Sequence, residues 1–218
     1  MNAETLLPVL LLLVPAVLAV TVHEIAHGWV ALKLGDRTAS DAGRLSLNPL
    51  RHVDLVGTVA VPLSLYLVSD FVFGSTFFFG WAKPVPVRWS HLSPRRPGIA
   101  AVAAAGPFSN LLMLAVWAAL LGVLVKLNPA GPDALIYMCK VGIMFNAAIM
   151  IINLVPIPPL DGSRIVTAVL PPRWADRYNR LEAYGLLIIV ALLVTGILQQ
   201  IVGPLLVALV SLVGTLIL

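Results

Sequence analysis

His23-Glu24-Ile25-Ala26-His27 sits inside an apolar stretch that begins near Thr5 and meets its first Lys or Arg only at Lys33. A stretch of that length and character is expected to cross a membrane as a helix. Two histidines at i and i+4 share one face of a helix, roughly 6 Å apart along the axis at about 1.5 Å rise per residue. That spacing suits two imidazoles converging on one zinc, and Glu24 stands beside them where a general base is needed. Placing one charged group at the bilayer centre costs roughly 2.5 to 3.5 kcal/mol even on a lenient scale. Three ionisable side chains in one helical turn therefore call for a partner, a metal or a water pocket.

The wider composition agrees with a membrane setting. Of 218 residues, 60% are apolar and 11% are charged, and the mean hydropathy is +0.98. A soluble domain of this length would not have that balance. The single cysteine, Cys139, excludes an intramolecular disulfide and falls in an apolar segment, where packing is its expected role. The N-terminal run lacks the basic leader of a signal peptide and carries the His-Glu-His motif, so it reads as a retained helix.

Apolar spans fall at residues 5–33, 53–79, 98–126, 135–157 and 183–218, and the segments between them hold nearly all the charge. The pattern predicts an all-α polytopic protein: a bundle of about five to six transmembrane helices with a re-entrant or hairpin segment around 53–97, forming one domain over 1–218. In the last span, Gly203-Pro204 is expected to interrupt the helix. Arg37, Arg44, Arg51, Lys83, Arg88, Arg95 and Arg96 lie between the first and third spans, and Arg164, Arg173, Arg177 and Arg180 follow the fourth. If 53–79 enters the membrane and returns, all of these share one face, which the positive-inside rule makes cytoplasmic. The net charge of +4 is then explained by orientation, and nucleic acid is not implied.

A zinc peptidase needs a third protein ligand and an open position for water. Asp161 is the best candidate, in Asn153-Leu-Val-Pro-Ile-Pro-Pro-Leu-Asp161-Gly162, where three prolines end regular helix and free carbonyls and side chains to face a site. Gly162 would let the chain bend after the carboxylate. The alternative is that Asp161 caps a helix starting near Ser163; its pairing with the His-Glu-His motif favours the ligand.

The residues His23-Glu24-Ile25-Ala26-His27-Gly28, Leu47-Asn48-Pro49-Leu50, Gly80 through Val87, Gly106-Pro107-Phe108-Ser109-Asn110 and Asn153 through Gly162 together resemble the site-2 protease family of intramembrane zinc metallopeptidases. The match runs over most of the chain, and it is to the compact members without a PDZ or nucleotide-sensing domain. The resemblance implies one zinc per chain held by His23, His27 and Asp161, with Glu24 as general base for attack of water on a peptide carbonyl. It implies a multi-pass protein of the prokaryotic plasma membrane whose partners are the lipid bilayer and a transmembrane protein or remnant peptide as substrate. Oligomeric state is not specified. Asn110 and Asn153 are expected to bind substrate or to orient the site, or else to serve as interhelical hydrogen-bonding groups.

Pro84-Val85-Pro86-Val87 excludes helix and predicts a rigid loop at the membrane surface, or an extended edge that receives a substrate strand. His52 and His91 fall in polar connections and read as solvated or structural, and Trp81 and Trp89 fit an interfacial belt. Metal transport is disfavoured because the other spans offer few ionisable groups for a path. A noncatalytic scaffold is disfavoured because zinc binding alone would not require Glu24.

Overall fold

The structure is a computed structural model that describes residues 3–61, 82–127 and 133–217. The described residues form helices joined by turns, with no strand among them. Helix α1 is Ala3–Lys33, α2 a single turn at Thr38–Asp41, α3 Arg95–Leu127, α4 Asp133–Leu154, α5 Asp161–Val169, α6 Pro172–Asn179, α7 Gly185–Val194 and α8 Ile197–Ile217. Four helical stretches are long and apolar enough to cross a membrane: Leu11–Lys33, Arg95–Leu127, Ala134–Leu154 and Ile197–Ile217. In lipid, backbone groups find no water, so such runs close their hydrogen bonds within a helix.

The expected fifth or sixth crossing at 53–79 falls mostly outside the described residues, as does Trp81. Its flanks are described, however, and they meet: Lys83 N–H donates to the carbonyl of His52 at 2.8 Å, and further out Ser93 N–H donates to the carbonyl of Leu34 at 3.0 Å. The stretch between the first and third spans thus leaves and returns at one end of the bundle. Arg96 reaches the carbonyl of Leu170 at 2.9 Å, which brings the basic segment after α4 to that same end.

The last apolar span differs from expectation in where it breaks. Pro204 lies inside α8, and the interruption comes at Gly196, whose φ of +76° is left-handed. Residues without a side chain enter that region freely, and Gly196 ends α7 there. Ten residues of α7 at about 1.5 Å each cover roughly half the hydrocarbon core, so α7 alone does not cross.

Helices α1, α3 and α4 pack together, and α8 covers α4. The main core joins Leu114, Trp117, Ala118 and Leu121 of α3 to Cys139, Ile143 and Ala147 of α4. Cys139 is fully buried there, as packing requires. Helix α1 ends in a Schellman motif: Asp36 N–H donates to Ala31 O at 2.9 Å and Gly35, at φ +101°, donates to Leu32 O at 3.2 Å. Helix α4 stops at Leu154 because Pro156 disfavours helical geometry at Val155.

Candidate metal centre

Helix α1 carries His23, Glu24 and His27 where α3 and α4 pack against it. The two imidazoles stand one turn apart with rings nearly perpendicular at 86°, and their Nε2 atoms are 3.0 Å apart. Asp161 joins them from α5, its Oδ2 lying 3.2 Å from His23 Nε2 and 3.3 Å from His27 Nε2. Asp161 is the first residue of α5, whose N-cap position is Leu160. Its carboxylate therefore does not serve as the N-cap and is turned toward the histidines.

The remaining ring nitrogens decide what these atoms can hold. His23 Nδ1 is 2.6 Å from Asn110 Oδ1, and His27 Nδ1 is 2.7 Å from the carbonyl of Val102. Both partners are acceptors, so each Nδ1 carries a proton and each Nε2 is the nitrogen turned inward. Asp161 Oδ2 is buried and has no hydrogen-bond partner. Three electron-pair donors facing one another repel unless a cation lies between them. Tetrahedral zinc with bonds of about 2.0 to 2.1 Å sets its ligand atoms about 3.3 Å apart, close to the separations here. The donor set fits zinc, with protonated Nδ1 atoms fixing the rings as metal-binding histidines require.

Absent side chains matter as much as present ones. A Cβ at Gly106 of α3 would lie 2.6 Å from His23 Nε2 and would collide with His27 Nε2. A Cβ at Gly162 would lie 2.7 Å from Val155 O and would strike the carbonyl of Leu154. Gly162 is helical, so its contribution is close approach of α5 to the end of α4, where sequence suggested a bend. Tyr178 fixes the intervening proline loop by donating to Pro156 O at 2.7 Å.

The other candidates separate. Asn110 is fully buried; besides His23 it contacts Ala19 O at 3.2 Å and Asn146 Oδ1 at 3.0 Å through its amide nitrogen. Its side chain thus faces His23 and the neighbouring helices. Asn153 donates to Ile149 O of its own helix at 3.0 Å and is not brought into the histidine cluster. Asn146, fully buried and donating to Gly142 O at 2.8 Å, was missed by sequence reasoning. Its signal was present: an amide in an apolar span two turns before Asn153.

Glu24 Oε2 accepts the N–H of Val85 at 2.7 Å. The segment holding Val85 is neither helix nor strand, in accord with a loop. His52 is buried, its Nε2 2.9 Å from Ser46 O, and His91 Nδ1 lies 3.5 Å from Asp36. Trp89 packs under Arg164, whose guanidinium carbon is 5.4 Å from the ring centre.

Comparison with known proteins bears on the same region. The family model for peptidase family M50 matches residues 124–196. The candidate zinc metalloprotease YwhC of Bacillus subtilis is 35% identical over 200 residues, covering 89% of this chain and 85% of that protein. The candidate zinc metalloprotease Rip2 of Mycolicibacterium smegmatis is 27% identical over 187 residues, covering 84% of this chain and 66% of that protein. No solved structure matches the chain.

Proposed function

The chain belongs to peptidase family M50, and from that premise we propose that it is a zinc-dependent intramembrane endopeptidase cutting peptide bonds within or near transmembrane segments. One observation carries the reading: His23 Nε2, His27 Nε2 and Asp161 Oδ2 converge at a membrane-spanning helix, with both Nδ1 protons held elsewhere. A single domain holds one zinc on these three residues and lies multi-pass in the plasma membrane, its basic end cytoplasmic. The substrate is a transmembrane protein or a remnant peptide.

Bound zinc supplies Lewis acidity, which lowers the pKa of a water toward about 7 and polarises a carbonyl. Glu24 follows His23 on α1 and takes the proton of the attacking water, then gives it to the leaving amine. Asn110 and Val102 keep the Nδ1 protons in place, so both Nε2 lone pairs stay available. Gly106 keeps their approach clear.

The test pairs metal content with cleavage in detergent-purified protein. About one zinc per wild-type chain is expected, with loss in His23→Ala and Asp161→Ala while helicity is retained. Glu24→Gln is expected to keep its zinc and lose about 10²- to 10⁴-fold in cleavage of a reporter containing a transmembrane segment. Unchanged cleavage removes Glu24 as the base, and a wild type that stays empty after zinc addition removes the enzyme reading.

A further inference from the structure

We propose that Lys83–Arg88 is a positioning strap for the Glu24 carboxylate, and that Asp36 and Gly28 influence catalysis through it. The proposal rests on the reading of Glu24 as the base and names what holds that base in place.

Val85 N–H meets Glu24 Oε2 at 2.7 Å. Its neighbours on both sides, Pro84 and Pro86, have no N–H and have fixed φ, so Val85 presents a lone donor on stiff backbone. Both ends of the strap are anchored. At one end Lys83 N–H donates to His52 O at 2.8 Å and Arg44 Nη2 donates to Lys83 O at 2.8 Å. At the other, Arg88 N–H donates to Asp36 Oδ2 at 2.6 Å.

Asp36 is a fully buried carboxylate whose Oδ1 accepts from Thr38 N at 3.1 Å and Thr38 Oγ1 at 2.5 Å. Only Leu34 and Gly35 separate it from Lys33, the end of the first membrane helix, with the Schellman bonds fixing the path between. Asp36 therefore references the strap to α1, the helix that carries Glu24. Nothing in the metal site uses Asp36; besides Arg88 it holds Thr38 at the start of α2 and faces His91 Nδ1 at 3.5 Å.

Gly28 supplies the seat. It lies one turn beyond Glu24 on the same face of α1. A Cβ there would stand 2.9 Å from Val85 Cγ1, 2.6 Å from Leu45 Cδ2 and 3.0 Å from Ala39 Cβ. The buried Val85 side chain rests on bare helix at that point, which lets its N–H reach the carboxylate. One N–H bond on Oε2 removes most of the rotamer freedom of a long carboxylate and leaves Oε1 for the proton.

The experiment is a double-mutant cycle on the zinc-loaded full chain in detergent, with the same reporter containing a transmembrane segment as the probe. Asp36→Asn and Gly28→Ala are expected to lower kcat roughly 10- to 100-fold, with KM within about twofold and zinc unchanged. Glu24→Asp is one methylene shorter and releases Val85 N–H, so in that background the further loss from Asp36→Asn should vanish. An equal loss in both backgrounds, or wild-type kcat in both single variants, overturns the strap. If Asp36→Asn does not fold, Gly28→Ala in the same cycle decides. Full activity of Glu24→Gln would instead overturn the parent reading, whereas an inactive Glu24→Gln beside a fully active Gly28→Ala and Asp36→Asn overturns only the strap.

Discussion

Asn110 Oδ1 meets His23 Nδ1, which leaves Nε2 as the nitrogen that faces Asp161. With its amide replaced in Asn110→Leu, His23 Nδ1 loses its 2.6 Å acceptor and the ring is free to change tautomer. Zinc affinity is expected to fall about 10- to 100-fold, as for other groups that orient a metal-binding histidine. Competition against a chromogenic chelator measures it, and unchanged affinity would show that helix packing alone sets the ring. Gly106 acts oppositely, by what it lacks. In Gly106→Ala the methyl group occupies the space beside both Nε2 atoms, so zinc should be lost while thermal unfolding changes by less than the metal contribution. Neither residue announces itself by its own chemistry, since an isolated Asn or Gly in an apolar span is common.

At the scale of elements, the connection from α1 to α2 is held by one buried carboxylate. Burial acts to raise the Asp36 carboxyl; hydrogen bonds from Thr38 and from Arg88 N–H, with His91 nearby, outweigh it and hold the group below its usual value. A folded value below the unfolded one means Asp36 stabilises the fold above the unfolded carboxylate range near 4. That contribution disappears as pH falls through the lower folded value. Thermal unfolding in detergent should therefore show a steeper acid limb in wild type than in Asp36→Asn, and identical limbs would contradict the assignment. The hinge between α7 and α8 offers a second measurement. Gly196→Ala forces a side chain into left-handed backbone at a cost of about 1 to 2 kcal/mol, whereas Gly203→Ala meets open space and should be nearly neutral.

For the whole molecule, the ends of α1, α3 and α4 that gather the basic residues also gather the metal ligands. Charge orientation and site construction thus select the same face. In a Cys139→Ala background, Arg173→Cys should react with a membrane-impermeant maleimide only in inverted vesicles, and Lys126→Cys only in intact cells. The reverse pattern would invert the topology. Sequence alone determined the membrane class and the helix bearing His23, Glu24 and His27, and it named Asp161 as candidate partner with a helix cap as the alternative, because these rest on local quantities: length of apolar run, i,i+4 spacing and a helix-breaking proline loop. It also pointed to the end of the bundle on which the site opens. Only the tertiary structure decided that Asn110 holds His23, that Asn146 backs it, that Val85 holds Glu24 and that Gly106 and Gly162 are required for contact. The first and third of these join residues 87 and 61 positions apart. Helices that are apolar on every side carry little periodic signal of which face turns inward, so the rotation of each helix, and with it the identity of the supporting side chains, is set by packing against its neighbours.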